Sequence, residues 1–553
     1  MLKSQNEKIN CLFVYPEFSQ FSFWNTKEAI KLVGAKAPAP PLGLITVAAL
    51  LPQHWNFKLV DLNTSQLKEE DWEWADLVCG GGMLPQQKGL LELIRECKQR
   101  KKFIAVGGPD PTSQPHLYEI ADALVTGEGE LTIPIWLEAW KNGNPSGVFK
   151  TDDKPDVTKS PIPRFDLLNF PDYYAMEVQY ARGCPFNCEF CDIIELYGRK
   201  PRQKTPAQLL VEMQALYDQG YRGYVEIVDD NFIGNIRNIK RELLPALIKW
   251  NNDRKKPFYF GVEASMNIGD DFKLLDQMKA ANFRYVFMGI ETPDPDLLMM
   301  TQKSQNVVQP IKTRVDNVIK RGIIVTAGFI IGFDGEKNGT DKSLIECIEE
   351  SNICMAMLGM LVALPNTQLT RRLIREKRLM DFSGNLVDDF SVMQRARVED
   401  MAVEALDQTV AGLNYVTTRD RNVIVEEYLT AVQTVYEPKA YMDRVIRTTK
   451  MMDYRAPRRQ SWYETKRSAK GLVNLCREYT KRPDLRWLFW RNFFRTLAMG
   501  GFKFEIALSL MGVYLHFNKH VKHLAELVKA QKDAHPNVIK DIKELEELHK
   551  KSS

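Results

Sequence analysis

Cysteine is sparse in this chain, nine residues in 553 and an odd number. A small secreted domain held by disulfides needs a dense, evenly paired set, so that class is excluded and a reducing compartment is expected. Residues 1–10 carry charge and no apolar core of signal-peptide length, which makes a cytoplasmic protein the expectation. No fixed-period repeat occurs, so a solenoid or propeller is not indicated. Strong charge imbalance is also lacking: the net charge is +4, with 44% hydrophobic and 26% charged residues, the balance of a globular chain and not of a disordered one. At roughly 100–200 residues per domain, the length implies about three units.

The basic character that does exist is local. Pro438 to Lys503 holds 17 Lys and Arg against 5 Asp and Glu, which is +12 and leaves −8 for the rest. An anionic partner is one reading of that segment.

From Cys11 to about residue 145, short apolar runs alternate with helical ones: Cys11–Tyr15, Lys58–Val60, Leu77–Cys79, Phe103–Val106 and Ala123–Val125, with helices such as Leu42–Leu51 and Lys88–Lys98 between them. The pattern predicts a doubly wound parallel α/β sheet over 1–148. Residues 149–174, rich in Asp, Lys and Pro, read as a surface linker. A second βα series follows over 175–384, with strands expected at Met176–Tyr180, Gly223–Val228, Tyr259–Glu263, Tyr285–Glu291, Ile324–Ile331 and Met357–Leu364. Five or six such units make a partial or full (β/α) barrel. From 385 to 553 helical patterns dominate.

One segment carries distinctive chemistry. Ala181-Arg182-Gly183-Cys184-Pro185-Phe186-Asn187-Cys188-Glu189-Phe190-Cys191 spaces three cysteines as C-x3-C-x2-C. Soft thiolates at that spacing wrap an iron–sulfur cluster, and three ligands leave one iron open to another molecule. A zinc knuckle would want a fourth Cys or His, and none follows within fifty residues. Cys11, Cys79, Cys97, Cys347, Cys354 and Cys476 sit in apolar or helical surroundings and read as structural.

The motif, with Phe190 before the last cysteine and a βα series behind it, resembles the radical S-adenosylmethionine (SAM) superfamily. The resemblance implies a 4Fe–4S cluster on Cys184, Cys188 and Cys191, SAM chelated at the open iron, reductive cleavage to a 5′-deoxyadenosyl radical, and an electron donor such as a flavodoxin or ferredoxin. It also implies where SAM should sit, at the carboxyl ends of the barrel strands. There Asp229, Asp230 and Asn231 would face the amino group, although the same residues suit a helix cap and turn. Glu263 and Ser265 would meet the ribose. The segment Gly289-Ile290-Glu291-Thr292 supplies Glu291, and Gly332 would let backbone approach the adenine.

Upstream, Gly107-Gly108-Pro109 and Gly127-Glu128-Gly129-Glu130 place glycine turns at strand ends, as does Gly80-Gly81-Gly82. Such turns serve ligand approach or tight packing equally well. Together with Pro40-Pro41-Leu42-Gly43-Leu44, they resemble the cobalamin-binding domain of cobalamin-dependent radical SAM enzymes. The Asp-x-His-x-x-Gly motif whose histidine ligates cobalt is absent, so the resemblance implies cobalamin without a protein histidine below the metal. Cys191-Asp192-Ile193-Ile194, the segment Leu196 to Pro206 and Val228–Gly234 are similar to the branch containing hopanoid C-2 methylases and bacteriochlorophyll side-chain methylases.

That branch implies a C-methyltransferase in which one SAM remethylates cobalamin and a second generates the radical. The substrate would be a small molecule, lipid-like or tetrapyrrole-like. A radical cyclase or rearrangement enzyme without methyl transfer, and a non-catalytic iron–sulfur or cobalamin-binding protein, stay open. No general acid or base can be named. The aromatic and basic run Trp487 to Arg495, continuing to the apolar Ile506–Phe517, is broken by charge into pieces shorter than the ~20 residues of a spanning helix. It reads either as an interfacial helix giving peripheral membrane contact or as a helix packed on the barrel with a solvated rim. Nucleic acid is not expected, because no recognised binding module accompanies the charge. Residues 520–553 read as a solvated helical tail.

Overall fold

A computed structural model describes residues 3–18, 22–23, 25–381, 384–387, 412–453, 462–534 and 538–552. The first unit is a six-stranded sheet, β1 (Asn10–Tyr15), β2 (Asn56–Asp61), β3 (Leu77–Gly81), β4 (Phe103–Gly107), β5 (Ala123–Val125) and β6 (Gly147–Phe149), in the order β2-β1-β3-β4-β5-β6. All of its pairings are parallel. Helices α1 (Leu42–Leu50), α2 (Gln87–Gln99) and α3 (Gly129–Lys141) cover it. Burial on both faces explains the nearly continuous apolar strands. Cys11, Phe13 and Cys79 belong to the core on one face, while Leu12, Val14 and Val78 belong to the core on the other. β6 was not foreseen, because three residues with two of them exposed carry no strand pattern.

Residues 150–174 hold only single turns, in keeping with their Asp, Lys and Pro content, yet they do more than lie on the surface. Phe165 and Tyr173 are buried, and Tyr173 bridges to Ala37, tying the segment to the first unit.

The second sheet is also parallel: β7 (Ala175–Val178), β10 (Gly223–Ile227), β11 (Phe258–Glu263), β12 (Phe283–Glu291), β13 (Ile324–Ile331) and β14 (Met355–Met360), in the order β14-β13-β12-β11-β10-β7. β7 and β14 do not pair, so this is a partial (β/α) barrel. Between β7 and β10 the chain makes a short antiparallel pair, β8 (Ala181–Arg182) with β9 (Arg202–Gln203), and the cysteine loop hangs between its strands. The last strand begins two residues earlier and ends four earlier than its apolar run implied. Leu361 to Ala363 are buried, but they lie beyond the strand.

The expected start of the helical region adjoins 388–411, which lie outside the described residues. Beyond them run α4 (Arg421–Val435), α5 (Pro438–Met451), α6 (Trp462–Thr480), α7 (Arg486–Leu497), α8 (Gly501–Ala534) and α9 (Ile542–Ser552). The barrel and helices α4 to α8 share one apolar core, in which Tyr428, Val432, Met442, Ile506 and Met511 pack with the barrel residues. The C-terminal stretch is not a free tail. Val521, Leu524 and Val528 on α8 join the main core, and Leu545 on α9 packs with Met380 and Val416.

Candidate active site

The cysteine loop leaves β8 through Gly183, whose φ of +92° and crowded surroundings admit no side chain. A Cβ there would sit 2.8 Å from the Gly198 carbonyl oxygen. The Cys184 N–H donates to that same oxygen at 3.2 Å, and Cys191 N–H to the Cys188 carbonyl at 3.2 Å. Asp230, at the end of β10, accepts from Gly183 N–H at 2.6 Å, and Asp229 accepts from Tyr180 and Ala181 N–H at 2.7 and 2.8 Å. These two carboxylates therefore brace the loop. The second oxygen of Asp229 is buried without a partner. Burial lifts both carboxyl pKa values, that of Asp229 to about 7 and that of Asp230 to about 6.

Around the thiols, Asn231 Nδ2 lies 3.8 Å from Cys184 Sγ and Gln305 Nε2 3.9 Å from Cys188 Sγ. Burial raises the pKa of all three thiols, and the Lys303 ammonium opposes this at Cys184 and Cys188. Lys303 is buried and pairs with Glu291, which keeps it charged. Gly289 makes that pair possible, because a Cβ there would lie 2.4 Å from Glu291 Oε1 and 2.7 Å from Lys303 Nζ. Among the described residues no three His, Cys, Asp or Glu side chains are grouped as ligands of a single metal ion. Three soft thiols on one short loop, each with a polar or cationic neighbour, suit instead a cube of irons taking one thiolate apiece.

The loop's outer side is held by Glu189, which pairs with Arg372 at 2.5 Å; Arg372 in turn holds Asp334 at 2.8 Å. Phe190 packs on Phe333 with ring centroids 5.7 Å apart. The expected SAM residues divide. Asn231 and Ser265 are hydrogen-bonded at 3.1 Å beside Cys184, and Glu263 faces the barrel interior with its pKa raised by burial to about 7. Glu291 is engaged by Lys303. Gly332 is enclosed by the protein itself: its N–H donates to Glu336 at 2.8 Å, its carbonyl accepts from Tyr415 at 2.5 Å, and Leu413 fills the place of a Cβ.

A cavity of about 1150 Å³ runs from the carboxyl edge of the first sheet into the barrel. That exceeds the ~300–1,000 Å³ of sites for drug-sized ligands. Its first end opens beside the carboxyl ends of β1 and β3, where the strand order reverses, the ligand crevice of open α/β sheets. Gly107, Gly108, Pro109, Gly127, Glu128 and Gly129 all line it. The glycines are nevertheless explained by backbone packing: a Cβ on Gly107 would lie 2.5 Å from the Val125 carbonyl oxygen, and one on Gly108 3.2 Å from Gly82 N. Packing flattens the strand ends, and the flat edge is what the cavity exposes. The residues present thus fit a large cofactor such as cobalamin on this edge, and no histidine among the described residues lines the cavity.

Glu128 was expected at the cofactor site, but sequence reading missed the partners through which it joins the two ends. Arg182 pairs with Glu128 and Glu130, both at 2.8 Å, and Arg202 pairs with Glu128 at 2.7 Å. All are largely buried, and Arg182 adjoins the cluster loop. Its place immediately before Gly183-Cys184 was the available signal. Also missed were Glu177 and Glu226, which with Tyr224, Tyr259 and Tyr285 form the polar lining of the barrel.

The radical SAM superfamily pattern matches residues 178–348, and a domain of unknown function, DUF4070, matches 367–530. An uncharacterized methyltransferase of Synechocystis sp. is 41% identical over 95% of this chain and 93% of its own. The hopanoid C-2 methylase of Rhodopseudomonas palustris is 32% identical over 88% of this chain and 89% of its own. Among solved structures, the cobalamin-dependent SAM radical enzyme OxsB with aqua-cobalamin bound superposes with a TM-score of 0.53 at 15% identity, covering 96% of this chain and 85% of that one. With the three-cysteine loop at the mouth of a partial barrel, these likenesses place the chain in the radical SAM superfamily.

Proposed function

We propose that this enzyme is a cobalamin-dependent radical SAM C-methyltransferase acting at an unactivated carbon of a lipid-like or tetrapyrrole-like substrate. The observation that carries the reading is the single cavity joining the flat edge of the first sheet to the barrel beside the cysteine loop, since it allows a methyl carrier and a radical source to face one substrate. When bound, the cluster with SAM supplies a 5′-deoxyadenosyl radical and cobalamin supplies the methyl group.

The protein's part is positioning and exclusion. Cys184, Cys188 and Cys191 hold the cluster, and Asp229 and Asp230 fix the loop that presents it. Asn231, Glu263 and Ser265 stand where the SAM amino and ribose groups are expected, as acceptors for its polar hydrogens. Arg182 and Glu128 keep the flat edge and the loop in register. The apolar part of the lining, which includes Leu42, Leu44, Val47, Leu472 and Leu508, suits a greasy substrate and keeps water from a reactive radical. An electron donor such as a flavodoxin or ferredoxin would reduce the cluster.

The methyltransferase names of the two relatives support methyl transfer over cyclisation. The test compares lipid and pigment extracts of cells with and without the gene. The expected result is a compound in the parent that is heavier by one methylene than the compound accumulating in the deletion strain. Identical extracts would count against a lipid or pigment substrate.

A further inference from the structure

The helical region exposes an aromatic face that the reading above does not use. On α7, Trp487 is 81% exposed, Phe494 61% and Leu497 50%, while Phe489, Asn492 and Thr496 on the opposite side are buried. Trp487, Arg491 and Phe494 recur at helical spacing along one side. At the start of α6, Trp462 is 82% exposed. Large aromatics left in water at this density are unusual for a surface with no partner.

Along α7 itself the charge is of one sign, the exposed Asp484 lying just before the helix. From Leu485 to Phe504 the sequence contains Arg486, Arg491, Arg495 and Lys503 and no acidic residue. Among the described residues none of the three arginines pairs with a carboxylate; Arg495 only reaches Asn492 on its own helix, at 3.2 Å. Lys503 Nζ rests on the Lys450 carbonyl. Such a face, aromatic at its centre and cationic at its border without counter-charge, is complementary to an anionic lipid surface, where indole sits at headgroup depth and guanidinium meets phosphate. Among the described residues no helix is long and apolar enough to cross a membrane, so contact would be from one side.

We infer that the α7 face docks the enzyme on the surface of an anionic bilayer. Depth within the molecule gives the contact a use. α7 packs on α8, whose other residues Leu508 and Val513 line the cavity, and Leu472 and Leu475 of α6 line it beside them. The docking helix thus packs on a helix that itself forms part of the cavity wall. Delivery of an apolar substrate through that wall rests on the lipid-like reading of the function; the docking itself rests only on the exposed face.

The test sediments the full-length, cluster-loaded enzyme with vesicles of phosphatidylcholine alone or mixed with phosphatidylglycerol, at low and high salt. Binding to the anionic vesicles is expected to exceed binding to the neutral ones by about tenfold and to weaken with salt. The double variant W487S/F494S is expected to bind at least about tenfold less, and R491E to lose the preference for anionic lipid, while both cleave SAM without substrate at the parent rate. Equal binding to both vesicle types, no binding, or variants that bind as the parent does would overturn the inference. So would a parent that self-associates where W487S/F494S is monomeric and neither binds lipid, because the face would then be an interface between copies. Loss of SAM cleavage in every form, with lipid binding intact, would instead count against the proposed function.

Discussion

Glu177, Glu226 and Glu263 stand in the barrel interior with no ion pair among the described residues. Glu226 accepts from the Tyr224 hydroxyl, in space that Gly261 leaves by lacking a side chain. Burial, and then the charge of Glu263, pushes the Glu177 pKa up to about 8, and that of Glu226 well above its ordinary value. A carboxyl whose pKa is raised on folding holds its proton longer in the folded state. The folded state is therefore penalised as pH rises from about 4.5, where the unfolded group ionises, through about 8. Glu177→Gln should gain stability relative to the parent across that window, by about 1–3 kcal/mol at its upper end, in urea unfolding of the cofactor-free protein. A variant that loses ground as pH rises would contradict the assignment. Asp229→Ala should cost about 2–4 kcal/mol, because the Tyr180 and Ala181 N–H groups lose their acceptor in the interior. It should also weaken the visible absorbance of the reconstituted cluster. Cluster absorbance equal to the parent's would show that the loop does not depend on this brace.

At the scale of elements, the βα alternation was written plainly in the sequence because parallel strands buried on both faces read as unbroken apolar runs. Cys11–Tyr15 and Ile324–Ile331 carry enough Val, Ile, Leu and Phe to be seen without any partner. β6, with Gly147 and Val148 exposed, is made by its neighbour β5 and not by its own pattern. The cysteine loop was legible because its spacing is a local property. The Arg182, Arg202, Glu128 and Glu130 network was not, since it joins residues 52–74 positions apart and no local pattern announces a partner at that distance. Glu291 and Gly332 show the converse. Their positions at strand ends were apparent, but Lys303, Glu336 and Tyr415, which occupy them, come from other parts of the chain. Because the Arg182 network is buried, Arg182→Met should cost about 3–5 kcal/mol in urea unfolding by leaving carboxylates unpaired. Glu128→Gln, which keeps the shape and removes only charge, should cost less. Equal and negligible losses would show that the network does not couple the cluster loop to the first sheet.

In the whole molecule one cavity is bounded by three parts of the chain: a flat sheet edge, a barrel beside its cysteine loop, and a helical wall on which the aromatic helix α7 packs. The sequence placed the first two in order, whereas the cavity that unites them exists only in the folded chain. The most direct measurement gives the reduced, cluster-loaded, cobalamin-supplied enzyme methyl-labelled SAM and the extract of a strain lacking the gene, and follows the products by mass spectrometry. The account predicts 5′-deoxyadenosine, S-adenosylhomocysteine and a labelled, methylated compound rising together; in Cys188→Ala the first and last are lost and S-adenosylhomocysteine does not exceed the cobalamin supplied. Formation of 5′-deoxyadenosine with neither S-adenosylhomocysteine nor label in any extracted compound would contradict it.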